Sequence, residues 1–359
     1  MTTTRHPRPR DRDGAPAPAG SGPGPAQRLP DTGVVVGVDA GRDPVPPTGP
    51  ASGRPVGAPA WAAAEAATSG HGLLLLAACR PDAPLPPTFG DQATPYVEPD
   101  RVRATAELER LARAMREGRD GPARGAPAVT TAVVPGRAAE VILTSGREAR
   151  LVVVGQRRLG AVRRWAEGST SLTVASRSPV PVVVVPDDWP LPGDHDTTDP
   201  VAVGVDLRPG DLRSGPAGAP GRHVRHPRLE RAAASIAVAA SFASRRGVAL
   251  RVVSTWDAPE EIGWATTYRI VTDERRTADL HDWLAGLRAV PPDLEVRVEV
   301  STGRASEHLL AAAATSGLTV IGRRSGVLGP AGPRLGAVAR ALLRHTPAPV
   351  AVVPHHDGG

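Results

Sequence analysis

Apolar residues in this chain gather into short uninterrupted runs, separated by helical patterns and by loops rich in Pro and Gly. The first run, VVVGV from Val34, lacks polar alternation, as a strand buried on both faces of a parallel sheet requires. After the Pro/Gly-rich stretch Gly41–Pro59, the alanines of Trp61–Thr68 favour a helix, and Gly70 and Gly72 end it. LLLLAAC (Leu73–Cys79) reads as the second strand. In Arg101–Glu117, Val102, Leu108, Leu111 and Met115 recur near the helical period. Ala128–Val134 reads as a strand, Ala138–Thr144 as a helix, Leu151–Val154 as the fourth strand, Ser169–Ser176 as a helix and Val182–Val185 as the fifth strand. This alternation predicts right-handed βαβ crossovers and a parallel sheet covered on both faces.

The pattern then starts again. GVVVGVDAG (Gly33–Gly41) returns as VAVGVDLRPG (Val201–Gly210), and SPVPVVVVP (Ser178–Pro186) as TPAPVAVVP (Thr346–Pro354). Asp39 and Asp206 are separated by the same 167 residues as Gly155 and Gly322. A repeat this long marks two copies of one domain, not a solenoid. The second copy predicts strands at Val201–Val205, Ala249–Ser254, Glu295–Val300, Thr319–Ile321 and Val350–Val353, with helices near Leu229–Ser244, Asp273–Ala289 and Ser306–Ala314. The expected division is a Pro/Arg-rich disordered tail (1–30), a first domain (31–187), a linker (188–200) and a second domain (201–355). The connection Asp187–Asp199, with its prolines and acids, reads as a surface segment.

Composition excludes several chemistries. All 43 basic residues are arginine, so no Walker lysine and no Schiff-base lysine exist. The net charge is +6, but the arginines are scattered and no basic helix interleaves with aromatics, so nucleic acid is not an expected partner. Cys79 is the only cysteine, which suits a reducing cytoplasm and allows no internal disulfide. There is no zinc spacing, and the apolar runs are strand-sized, so neither a metal nor a membrane is expected. His223 and His226 lie three apart in a Gly/Pro/Arg loop with no Cys or Asp beside them to complete a metal set.

The candidate chemistry lies after two strands of the first copy. Strand one ends in Asp39, and strand four runs out at Gly155, which opens a Gly/Arg loop leading to Gly168-Ser169-Thr170 at a helix start. In an open α/β sheet, ligands sit beyond the carboxyl ends of the strands where strand order reverses. Phosphate gains there from free amides at a helix N-terminus, from close approach at glycine and from Ser/Thr hydroxyls. The same residues have plain structural roles: Asp39 as a turn cap, Gly155 as a strand end, Ser169 as an N-cap.

These motifs resemble the universal stress protein family in its tandem two-domain form. The resemblance rests on the acidic end of strand one, a Gly-x2-Gly-x9-Gly-Ser/Thr loop after strand four and a Pro-flanked final strand, over about Gly33–Pro186 and Val201–Pro354. It implies two Rossmann-like domains of the adenine nucleotide alpha hydrolase type. Each is a five-stranded parallel sheet flanked by helices, and the two form an intramolecular pseudo-dimer through their last strands. It also implies ATP in the first copy, with Mg²⁺ carried on the phosphates. Asp39 would lie near the nucleoside and the Ala78 backbone near adenine, while Gly155, Gly168, Ser169 and Thr170 would hold ribose and phosphates. Arg158 stands where the family has its second glycine, blocking close approach or pairing with phosphate. The stretches Arg42–Pro59 and Leu207–Arg228 exceed the family's usual connections and lie beside the sites.

The second copy departs further. Ser325 takes the second glycine position, Gly336 comes one residue late, Ala337 replaces the hydroxyl residue, and Pro330 and Pro333 remove amide donors, so its site reads as degraded. The resemblance therefore implies a cytoplasmic stress-response regulator. Its pairing would be between its own domains, with a homodimer or an unidentified protein partner beyond that. A nucleotide-free interaction module with the same fold is the alternative. The sequence assigns no catalytic residue, and slow ATP hydrolysis is the most chemistry it suggests.

Overall fold

The computed structural model describes residues 33–40, 56–79, 99–117, 127–156, 170–187, 189, 198–208, 210–214, 226–257, 265–323, 328–329, 332–333 and 335–355. The expected tail, most of the linker and most of the two long connections lie outside them.

The first half builds five strands: β1 (Val34–Val38), β2 (Leu73–Cys79), β3 (Val129–Pro135), β4 (Leu151–Gln156) and β5 (Val182–Pro186). They alternate with helices α1 (Gly57–Ser69), α2 (Pro99–Glu117), α3 (Ala138–Ser145) and α4 (Thr170–Arg177). All pairs within this half are parallel, in the order β3-β2-β1-β4-β5. Leu73, Leu74, Leu75 and Leu76 are buried, because helices cover both faces and successive side chains of β2 each meet a core. Burying each such leucine contributes about 1.5–3 kcal/mol.

The second half repeats the layout with β6 (Val201–Val205), β7 (Leu250–Trp256), β8 (Val296–Thr302), β9 (Leu318–Gly322) and β12 (Val350–Val353). Its helices are α5 (Pro227–Arg246), α6 (Ala265–Ala285), α7 (Ala305–Ala313) and α8 (Ala337–His345). It also carries a 3-10 turn at Asp211–Ser214 and a small antiparallel hairpin of β10 (Leu328–Gly329) and β11 (Gly332–Pro333).

The halves join edge to edge. Strand β5 pairs antiparallel with β12, with Val182, Val183 and Val184 opposite Val352, Ala351 and Val350. The result is one ten-stranded sheet, β3-β2-β1-β4-β5-β12-β9-β6-β7-β8. These last strands carry no charge or polar side chain to discourage pairing, so each satisfies the other's open edge. The expected intramolecular pseudo-dimer is therefore the observed arrangement. A second contact crosses the seam between α1 and α5, where Trp61 and Phe242 pack with ring centroids 6.1 Å apart. A third is the Arg323 guanidinium, which donates to the Ser178 carbonyl at 2.7 Å.

Several element boundaries differ from expectation. Helix α1 begins at Gly57, four residues before Trp61, because Pro59 falls in the first turn, where a missing N–H costs nothing. Helix α6 begins at Ala265 and ends at Ala285, not Asp273 and Ala289. Its first turns expose Ile270 and Val271 and so carry no core-facing period to read. Helix α8 escaped the sequence reading, although Ala339, Leu342 and Leu343 form its buried stripe. The connection after β5 is not wholly a surface segment: Trp189 packs against the core.

Candidate functional site

Strand order in the first half reverses between β1 and β4, the two neighbours from which the chain winds outward in opposite directions. Their register runs from Val34↔Leu151 to Gly37↔Val154. Asp39, just past β1, and Gly155, next to last in β4, therefore both lie at the carboxyl edge of the sheet, on either side of the switch point. On the other flank Val38 pairs with Ala77, which places Ala78 beside Asp39. Three of the expected site residues thus converge from three adjacent strands. Asp39 is exposed, while Ala78 and Gly155 are half-buried. Thr170 opens α4, one residue later than the expected helix start. Arg158, Gly168 and Ser169 lie outside the described residues.

Helix α4 is tied to this edge by a residue the sequence reading did not single out. The Ser171 hydroxyl donates to the Gly155 carbonyl at 2.6 Å, fixing the helix start over the end of β4. A hydroxyl one position past the expected Gly-Ser-Thr turn was the available signal.

The segment after β5 turns back over the same edge. The Asp187 amide donates to the Gln156 carbonyl at 3.3 Å, and the Trp189 amide to the Pro186 carbonyl at 3.0 Å. The Trp189 carbonyl accepts from the first amide of α1, that of Gly57, at 3.0 Å. Gly57 has φ +65° and a methyl group there would lie 2.9 Å from the Asp187 carbonyl oxygen, so only glycine fits without strain. A methyl group added at Gly155 would lie 3.1 Å from Asp187 Oδ1 and 3.8 Å from Ala58 Cβ. The signals for this were Trp189, an apolar side chain too large for a solvated linker, and the repeat, which sets Asp187 opposite His355.

In the second half the corresponding crevice is engaged by its own chain. Asp206 ion-pairs with Arg228 at 3.4 Å. The chain following Asp206 folds inward: the Asp211 carboxylate accepts from the Arg208 amide at 2.7 Å and meets His226 Nε2 at 3.2 Å. The expectation that no Asp lies near His226 is thus corrected, since the fold brings Asp211 to it from fifteen residues away. The two form a pair, and among the described residues no cluster of His, Cys, Asp and Glu could hold a metal ion. Arg276 donates to the Leu207 carbonyl at 2.8 Å and lies 5.6 Å from the Trp256 ring. Burial holds its guanidinium below the usual arginine range, against the opposing pull of Asp273, Asp211 and Asp279. At the end of β9, a methyl group on Gly322 would lie 2.7 Å from His355 Nε2 and 2.9 Å from Ser235 Oγ. Gly336 and Ala337 mark the start of α8, and Ser325 and Pro330 lie outside the described residues.

No helix of the described residues is long and apolar enough to cross a membrane. The chain matches the Universal stress protein family over residues 54–186 and 228–354. Both matched spans begin after the first strand of each half, because the long connections separate β1 and β6 from the rest in sequence, although both are interior strands of the sheet. A universal stress protein of Mycobacterium tuberculosis is 32% identical over 231 residues, covering 62% of this chain and 65% of the relative. One from Mycolicibacterium smegmatis is 30% identical over 217 residues, covering 60% of this chain and 65% of the relative. The similarity thus spans just under two thirds of the length of these curated relatives. A universal-stress-protein candidate from Pseudomonas aeruginosa shares the fold, with a TM-score of 0.55 at 14% identity over 90% of this chain and 93% of that one. With two matched spans, two copies of one five-stranded unit and an antiparallel seam between their last strands, the chain belongs to the Universal stress protein family in a tandem two-domain form.

Proposed function

We propose that this protein is a stress-response regulator whose first half binds ATP at the carboxyl edge of β1, β2 and β4. The observation that carries this reading is the convergence of Asp39, Ala78 and Gly155 at the switch point, with α4 starting beside them. Asp39 would approach the nucleoside and the Ala78 backbone the adenine edge. Gly155, Gly168, Ser169 and Thr170 would offer main-chain and hydroxyl donors to ribose and phosphates, with Arg158 available to pair with phosphate. Mg²⁺ would arrive on the triphosphate, since the described residues hold no metal cluster of their own. In the second half the Asp206–Arg228 pair and the infolded Asp211 favour a crevice closed to nucleotide.

Isothermal titration of the full chain with ATP tests this. Binding of one nucleotide per chain, lost on Asp39→Ala and retained on Asp206→Ala, supports it. No heat at millimolar ATP removes it in favour of a nucleotide-free interaction module. Two nucleotides per chain would contradict the reading of the second half.

A further inference from the structure

The outer face of α6 carries a pattern that its own chain does not use. The inner face packs Leu280 and Leu284 into the core beside β8, the last strand of the ten-stranded sheet. On the opposite face Val271, Ala278 and Ala285 fall seven residues apart, so each returns to nearly the same direction after two turns. All three are exposed, Val271 by 57%. Glu274 and Arg275 stand between the first two, His281 and Asp282 between the last two, and all four are exposed. Among the described residues, none of these four side chains has an ion pair or hydrogen bond.

Helix α2, in the same place of the first half, is different. Its Asp100 and Glu107 meet Arg103 at 3.0 Å and Arg110 at 2.8 Å, each about one turn away on the same helix. On α6 the opposite charges Arg275 and Asp282 are two turns apart, about 10 Å along the axis, too far to meet within one helix.

The spacing fits a second copy of the same helix. Consider a two-fold axis level with Ala278 and normal to the plane of two paired helices, which then run antiparallel. Val271 of each copy faces Ala285 of the other, and Ala278 faces Ala278. At about 100° per residue, Arg275 and Asp282 lie on one flank of this apolar line and Glu274 and His281 on the other. The rotation sets each flank against itself. Arg275 of one copy therefore meets Asp282 of the other, within about 1.5 Å of the same height, and Glu274 meets His281 in the same way. Glu274 and Asp282, the two acids, are kept on opposite flanks. One face that complements itself in shape and charge is what an isologous contact requires.

We propose that the outer face of α6 is an interface for a second copy of this chain, formed by antiparallel pairing of the two α6 helices about Ala278. This contact is independent of nucleotide in the first half. The paired stretch Val271–Ala285 is about 21 Å long, and a single helix face of that length makes a small interface, so the dimer is weak and concentration-dependent.

Sedimentation equilibrium of the full chain at submillimolar concentration tests this, with Arg275→Asp, the double variant Arg275→Asp/Asp282→Arg, and Ala278→Cys. All three positions are exposed, so the variants keep the fold. A monomer–dimer equilibrium is expected, weakened about tenfold by Arg275→Asp and restored by the double variant. Ala278→Cys should give a disulfide-linked dimer on mild oxidation, which the wild type, with Cys79 buried, should not. A chain that stays monomeric overturns the proposal. So does a dimer that Arg275→Asp leaves unchanged, one that the charge swap fails to restore, or an Ala278→Cys chain that does not cross-link, because the contact then lies elsewhere. Species larger than a dimer overturn it as well, since a two-fold contact closes on itself.

Discussion

Glu65 on α1 and Arg245 on α5 form a 2.7 Å ion pair across the seam between the two halves. Arg246 joins the same carboxylate at 3.1 Å. Glu65 is only 3% exposed, and both guanidinium groups lie over aromatic rings, Arg246 at 5.2 Å from Trp61 and Arg245 at 5.1 Å from Phe242. Burial holds the Arg246 guanidinium below the usual arginine range, while Glu65 pulls it back. Glu65→Ala leaves two partly buried cations without their anion and should lower unfolding free energy by about 3 kcal/mol. Denaturant titration checks this. A loss below 1 kcal/mol would mean that solvent reaches the cluster freely.

A surface pair gives the contrast. Arg228 and Asp206 meet at 3.4 Å, but Asp206 is 62% exposed. Arg228→Ala should change stability by under about 0.5 kcal/mol. A loss comparable with that of Glu65→Ala would show that the first turn of α5 is held mainly by this contact.

The seam strands allow a sharper test. Val183 is fully buried and faces Ala351 across the antiparallel pair. Val183→Asp places an unpaired carboxylate where no water reaches, at a cost of several kcal/mol. The expected outcome is a protein that elutes in aggregates or unfolds at much lower denaturant, measured by light scattering and circular dichroism. Val102→Asp, on a side chain 56% exposed, should do neither.

Close approach at Gly322 makes the next case. An added methyl group there would meet His355 at 2.7 Å and Ser235 at 2.9 Å, so Gly322→Ala should destabilise by about 1–3 kcal/mol. At Gly155 the nearest atoms are farther off, Asp187 Oδ1 at 3.1 Å and Ala58 Cβ at 3.8 Å, so Gly155→Ala should cost less. Parallel thermal melts of the two variants would show the order.

Ser171 makes the fifth. Its hydroxyl ties α4 to the end of β4 through the Gly155 carbonyl. Ser171→Ala should cost about 1 kcal/mol. Faster amide exchange confined to the first turns of α4 would distinguish this from a global loss.

The order of elements was legible because most strands are short, mainly apolar runs and the chain repeats their order. Val201–Val205 and Val350–Val353 match the observed strands residue for residue. So was the partner of each final strand, since an uncharged edge must be covered. Helix limits were less legible. The early turns of α6 carry exposed Ile270 and Val271, so the apolar residues there show no core-facing period.

Around the candidate site the sequence determined which residue types arrive at the strand ends: Asp39, Ala78 and Gly155 in one half, Asp206 and Gly322 in the other. Local pattern sufficed, because strand length and alternation fix where each chain segment leaves the sheet. It could not determine what meets them there. Asp187 on Gly155, His355 on Gly322, Asp211 on His226 and the Glu65 cluster are contacts between segments up to 181 residues apart, formed only once the sheet is assembled and its edges pair. Side chains meet across a core by geometry, and only the tertiary structure carries that information.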